Sequence, residues 1–230
     1  MVSAIILAGG KGKRMNSNVS KQFIKVNNKP IIYYTLKKFL ECSQIDNIVL
    51  VLPKEEIEYC KKEVLDKYNL NVDYIVEGGK ERQDSVYNGL KALKNTDIVL
   101  IHDGARAFVS EKIIIDGINY AKKYGCAAPK VMPKDTIKVR DDDSFSKETL
   151  ERNILCAVQT PQVFKYDVIM ECHERVKKEN ISVTDDTMVV ERYNNKVYLY
   201  DGDYNNIKIT TPEDLILAEY LSKLCWHHFL

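Results

Sequence analysis

Short apolar runs separated by helical patterns constrain this chain more than any other feature of its sequence. Ser3–Ala4–Ile5–Ile6–Leu7 and Asn47–Leu52 carry almost no polar interruption, as expected of strands buried on both faces. Val72–Val76, Asp97–Ile101 and Cys126–Val131 read as three more strands. Helical spacing fills the gaps. Pro30 is placed as the first helical residue of a segment reaching Leu40, with Ile31, Leu36, Phe39 and Leu40 as its apolar stripe. Lys54 to Tyr68 follows with Ile57, Cys60, Val64 and Leu65, then Val86 to Leu93, then a helix capped by Ser110 and ending near Gly125. This alternation predicts an α/β, Rossmann-like fold: a mostly parallel sheet flanked by helices and joined by right-handed crossovers. Ligands of such sheets sit at the carboxyl ends of the strands, so the residues just after each strand are the functional candidates.

The first of these stretches is Ala8–Gly9–Gly10–Lys11–Gly12–Lys13–Arg14. Its small residues let the main chain approach a ligand closely and turn N–H groups inward, and its cations add fixed positive charge. The reading is a cradle for a polyanion, most simply a nucleoside triphosphate. The pattern GxxxxGK[ST] is absent because Arg14 follows Gly12–Lys13, and GxGxxG fails because Met15 stands where the third glycine belongs. A plain strand-to-helix turn with solvent-facing lysines is the alternative. Lys21, seven residues after Arg14, favours the cradle, since phosphoryl or nucleotidyl chemistry wants a second cation close by.

Bulk charge points to no polyanionic partner. Lys plus Arg number 34 against 33 Asp plus Glu, so a nucleic-acid or membrane-surface role is not expected. The six cysteines (42, 60, 126, 156, 172 and 225) form no CxxC pair and no apolar stretch resembles a signal sequence or a membrane span. Reduced thiols in a cytoplasmic protein are expected, organised as a single domain over 1–230. His227 and His228 lack ligand spacing and read as a tail.

The pattern changes over residues 132–152, where alternating residues surround the acidic turn Asp141–Asp142–Asp143. This predicts a protruding β-arm. An excursion of that size needs a partner surface to stay ordered, so a homodimer through the arm is expected. The chain returns through Thr160–Phe164 and a helix from Lys165 to Lys178. Thr184–Asp185–Asp186 starts another helix, Tyr198–Tyr200 and Asn206–Thr210 read as strands, and Thr211–Pro212–Glu213–Asp214 opens a last helix.

Six motifs in order, LAGGKGKRM with Lys21, GGKERQDSVYNGL (78–90), HDGARAF (102–108), TPQVF (160–164), TDD (184–186) and NIKITTPEDL (206–215), resemble the 2-C-methyl-D-erythritol 4-phosphate cytidylyltransferases of the non-mevalonate isoprenoid pathway. The resemblance runs from Ala4 to about Leu221. It implies a nucleotidyltransferase-type fold and a reaction in which a polyol phosphate attacks the α-phosphorus of CTP, with Mg2+ as cofactor and pyrophosphate as product. Such an attack needs alignment and charge stabilisation rather than an enzyme nucleophile.

By the same resemblance, Arg14 and Lys21 are the catalytic cations, and Ala8, Gly9, Gly10, Gly12, Gly79 and Ser85 hold the nucleotide, with Ala8, Gly9, Gly79 and Ser85 around the cytosine. Asp103 is the metal carboxylate. Arg106, Thr136, Arg152, Thr160, Thr184 and Lys208 surround the polyol phosphate, Arg152 being supplied by the partner subunit. Structural roles stand beside these: a turn at Gly78–Gly79, a helix cap at Ser85 or Thr184, and an Asp103–Arg106 pair that only braces its loop. His102 is read as a core residue. Ala107 and Cys156 depart from the family, which more often has proline and an aromatic there. A ribitol 5-phosphate cytidylyltransferase and a nucleotide-binding regulator without turnover are the rival readings.

Overall fold

The computed structural model describes residues 1–9 and 19–226. In chain order its strands are β1 (Val2–Leu7), β2 (Lys25–Val26), β3 (Lys29–Pro30), β4 (Asn47–Leu52), β5 (Tyr74–Glu77), β6 (Ile98–Asp103), β7 (Cys126–Val131), β8 (Lys138–Arg140), β9 (Ser146–Thr149), β10 (Ala157–Val158), β11 (Gln162–Lys165) and β12 (Tyr198–Asp201). The α-helices are α1 (Ile31–Leu40), α2 (Ile57–Cys60), α3 (Arg82–Ala92), α4 (Glu111–Tyr124), α5 (Tyr166–Lys178), α6 (Asp186–Glu191) and α7 (Pro212–Trp226).

Eight strands form one sheet in the order β10-β7-β11-β6-β1-β4-β5, with β12 also pairing with β7. The strands β6, β1, β4 and β5 run parallel, as the alternation predicts, and β12 runs parallel to β7. β11 inserts antiparallel between β6 and β7. Period-two alternation sends Ala4 and Ile6 of β1 to one apolar layer, shared with Leu36 and Phe39 of α1 and Ile114 of α4. Ile5 faces the other, with Val86 and Leu90 of α3 and Ile169 of α5. Each such fully buried aliphatic side chain stabilises the fold by roughly 1.5–3 kcal/mol.

Several boundaries differ from the sequence expectation for local reasons. Pro30 caps α1 rather than starting it, because its own residue still pairs in β3. Leu40 is exposed at the end of that helix, whereas Ile31, Ile32 and Tyr34 are buried. The 54–68 helix forms in pieces, a 3-10 turn at Lys54–Glu56, then α2, then a π-helical stretch at Lys61–Asp66. α3 begins at Arg82, not Val86. Glu81 is its cap, and Asp84 accepts from the Glu81 N–H at 3.1 Å. Asn206–Thr210 forms no strand: Asn206 is a bend and the next four residues have no regular structure, although the Ile209 N–H donates to Ala105 O at 2.9 Å.

The 132–152 excursion is a hairpin. β8 and β9 pair antiparallel in a sheet of their own, and Asp141 Oδ1 accepts from the Phe145 N–H at 2.8 Å across the turn. Every residue of both strands is exposed, and Phe145 and Ile154 are 71% and 77% exposed. Tyr204 anchors the arm's base by donating to Met132 O at 2.8 Å.

Candidate active site

The register of the parallel strands builds the site. Leu7 lies opposite Asp103 of β6 and Val51 of β4, so the loop after β1 begins beside the Asp103 carboxylate. Ala8 continues the ladder for one residue, its N–H donating to Val51 O at 2.9 Å, and Gly104 closes the other side by donating to Leu7 O at 2.8 Å. A Cβ on Gly104 would come within 2.9 Å of both Leu7 O and Ile32 Cδ1, so only glycine permits this approach. Gly10, Gly12 and Arg14 lie outside the described residues. Lys21 opens a short 3-10 turn (Lys21–Phe23) pinned on either side of it, where Ser20 and Gln22 both donate to the Glu56 carboxylate.

Gly9, Gly79 and Ser85 come together. Ser85, expected as a possible cap, stands one turn inside α3, accepting from the Gly79 N–H at 3.0 Å and donating to Glu81 O at 3.2 Å. A Cβ on Gly9 would lie 4.0 Å from that hydroxyl. One on Gly79 would meet Asp84 Cβ at 2.2 Å, so the turn excludes any larger residue. Main-chain atoms of two loops thus meet at one hydroxyl, with small residues on both sides of it.

The second group is charged. Lys208 Nζ lies 2.6 Å from Asp103 Oδ2 and Arg82 Nε 3.4 Å from Oδ1. Burial opposes the charged carboxylate, yet Arg82 and Lys208 hold Asp103 well below the usual range. Arg106 does not pair directly with Asp103. Its Nη1 donates to Asn206 O at 2.7 Å, while burial lowers its pKa and the Asp103 charge raises it.

His102 ties this group together without titrating near neutrality. A consistent chain runs from the Asp103 N–H to Thr160 Oγ1 (3.1 Å), from that hydroxyl to His102 Nδ1 (3.1 Å), and from His102 Nε2–H to Arg106 O (3.0 Å). The Thr160 proton is thereby committed inside the protein. Burial pushes the His102 pKa down to about 4. The unfolded chain, with histidine near its ordinary 6.5, binds the extra proton below that pH, so His102 contributes stability that is present above about pH 6.5 and lost as pH falls towards 4. Chemical unfolding should show about 2 kcal/mol less stability at pH 5 than at pH 7.5. A flat profile over that interval would contradict a neutral, buried His102.

Of the remaining candidates, Thr136, Arg152 and Thr184, the last two make their own local contacts. Thr136 and Arg152 are exposed on the arm, where Arg152 Nη1 donates to Lys134 O at 2.8 Å. Thr184 is exposed just before α6, its hydroxyl 3.6 Å from Met188 Sδ, and Asp185, not Thr184, caps that helix by accepting from the Met188 N–H at 2.9 Å. Arg82, Asp186 and Gln162 belong to the network and carry no role from sequence. All three sit inside the quoted motifs, Arg82 and Asp186 at helix starts and Gln162 at the first position of β11, which is the sequence signal they give.

Among the described residues no group of three or more His, Cys, Asp or Glu side chains is arranged to hold a metal ion. Asp103 offers a carboxylate here whose side chain is 12% exposed, whereas that of Asp186 is 1% exposed. One carboxylate fits a magnesium ion that takes its other ligands from phosphates and water. No helix among the described residues is long and apolar enough to cross a membrane. The cysteines 42, 60, 126 and 172 are buried free thiols, and burial raises Cys60 to about 12, so they serve as small apolar residues.

Comparison with known proteins places this geometry in a family. The model of the 2-C-methyl-D-erythritol 4-phosphate cytidylyltransferases matches residues 2–223. Proteins of that name from Clostridium botulinum and Clostridium perfringens are 61% and 63% identical, each match covering 96% of this chain and 99% of the relative. The crystal structure of 4-diphosphocytidyl-2C-methyl-D-erythritol synthase from Anaerococcus prevotii superposes with a TM-score of 0.84 at 36% identity, covering 95% of this chain and 94% of that one. The chain belongs to the 2-C-methyl-D-erythritol 4-phosphate cytidylyltransferase family and is a nucleotidyltransferase of that type.

Proposed function

We propose that this chain joins CTP to 2-C-methyl-D-erythritol 4-phosphate, giving the cytidine diphosphate derivative of methylerythritol and pyrophosphate. The observation that carries the reading is the strand register that sets the end of β1, where Ala8 and Gly9 begin the glycine-rich stretch, beside the strand end bearing Asp103 with Lys208 and Arg82. The small-residue cleft of Ala8, Gly9, Gly79 and Ser85 receives the cytosine. Main-chain groups at Gly10 and Gly12, with Arg14 and Lys21, take the triphosphate. An oxygen of the polyol phosphate attacks the α-phosphorus in line, and the bond to the bridging oxygen breaks as pyrophosphate leaves. Arg14 and Lys21 absorb the charge that builds on the α-phosphate. Mg2+ bound to the phosphates would neutralise part of their charge, with Asp103 as its protein carboxylate. Arg106 and Lys208, with Thr184, orient the incoming phosphate, while Thr160 acts from behind, its buried hydroxyl held between the Asp103 N–H and His102.

The chain works as one cytoplasmic domain whose 132–152 arm docks on a second copy. A two-stranded hairpin with both faces in solvent is marginal by itself, and the exposed Phe145 and Ile154 give it apolar area to bury. Thr136 and Arg152 then complete the partner's site. Neither nucleic acid nor membrane enters this reading.

Incubating the purified protein with CTP, Mg2+ and each polyol phosphate separates the readings. Pyrophosphate should appear with methylerythritol 4-phosphate at least about tenfold faster than with ribitol 5-phosphate. The reverse preference would reassign the substrate. CTP binding with no release from either would favour a regulator.

A further inference from the structure

The mechanism uses Asp103 but leaves unexplained the buried charges behind it. Asp186, at the start of α6, is 1% exposed. Its Oδ1 lies 3.1 Å from His173 Nε2 of α5, and its Oδ2 lies 2.8 Å from Arg82 Nη1. Asp186 is held in place independently of Arg82. Gln162 Oε1 accepts from the Asp186 and Thr187 N–H groups at 2.9 and 3.1 Å, while its Nε2 donates to Asp185 Oδ2 at 2.8 Å. Burial opposes the charge on Asp186, but Arg82 and then His173 lower its pKa. Apolar residues of similar volume often replace such buried ion pairs without loss of stability, so the arrangement orients something beyond the core.

What it orients is visible at the other edge of the guanidinium. Arg82 is 30% exposed, and its Nε faces Asp103 Oδ1 at 3.4 Å while Lys208 takes the other oxygen at 2.6 Å. Lys208 stands on coil and is a flexible point charge, whereas Arg82 is a rigid fork rooted in the first turn of α3. The same turn carries the Ser85 hydroxyl that faces Gly9 and Gly79.

We propose that Arg82 is a positioning residue for cytidylyl transfer: His173 and Asp186 fix its guanidinium, and the guanidinium fixes the Asp103 carboxylate relative to the nucleotide cleft. The inference rests on the function proposed above. Asp186, buried and separated from Asp103 by Arg82, therefore acts on the reaction through two intervening groups.

The test compares Arg82→Lys, Asp186→Asn and the double variant with the wild type in steady-state turnover, with thermal unfolding of each. An inactive wild type would defeat the functional reading itself, whereas an active one leaves only the positioning role at stake. Arg82→Lys keeps the charge but cannot span both carboxylates, so kcat should fall at least about tenfold with the KM for CTP within about threefold. Asp186→Asn should show the same split, and the double variant should be no worse than about twofold below the poorer single one, as for groups acting in series. A folded Arg82→Lys protein whose kcat falls less than tenfold overturns the proposal. So does a loss carried by KM, which would make Arg82 a binding group, or a double-variant loss equal to the product of the single ones. If Asp186→Asn does not fold, Arg82→Lys decides alone.

Discussion

Asp103→Asn should lower kcat about 100-fold or more, with the protein still folded. Asparagine keeps the shape of the side chain and leaves the main-chain bond from the Asp103 N–H to Thr160 intact. It removes the one negative charge among the described residues that faces Lys208 and Arg82 together. Both cations are partly exposed, so water can solvate them and the fold survives. What is lost is the alignment of those cations and the carboxylate that a magnesium ion on the phosphates would use. By analogy with the loss of one preorganised electrostatic group, this amounts to about 3 kcal/mol of barrier. Thermal unfolding distinguishes this outcome from collapse. A folded variant with kcat within about threefold of wild type would remove Asp103 from the mechanism.

The second large effect concerns the arm. Lys21→Ala and Arg152→Ala should each be nearly inactive alone, yet mixing them should restore activity. If Arg152 reaches the partner's site, a mixed dimer of the two variants contains one site with both Lys21 and Arg152 intact. Random mixing puts half the chains in such dimers, so recovery should approach about a quarter of the wild-type rate. If Arg152 served its own subunit, no mixed dimer would hold an intact site. Co-refolding the variants from denaturant and assaying pyrophosphate release tests this directly, and no recovery despite mixed dimers would end the trans assignment.

The sequence reveals the sheet better than the site, for physical reasons. β1, β4, β6 and β7 are legible because strands buried on both faces must be apolar throughout, and the first three contain Ile6, Leu50 and Leu100 with no exposure at all. Asn27 and Asn28 announce the β2–β3 turn because asparagine tolerates positive φ, here 44° and 65°. Asn206–Thr210 misleads because Ile207 and Ile209 alternate as in a strand, although the segment serves as a strap across Ala105, Arg106 and Asp103. α3 starts earlier than expected because Lys80–Asp84 is wholly polar, so its first turn is set by capping rather than by apolar spacing. The Arg82–Asp186 pair spans 104 positions of sequence, and no local pattern can announce a contact of that range. The same holds for Asn206, whose carbonyl receives Arg106 from 100 residues away.

A crystal structure with CTP and Mg2+ bound tests the central claim most directly. Cytosine is expected between Gly9, Gly79 and Ser85, the triphosphate along the loop after β1 beside Lys21, and the metal on the phosphates facing Asp103. A nucleotide bound elsewhere, with Lys21 and Asp103 both turned away from it, would contradict the account.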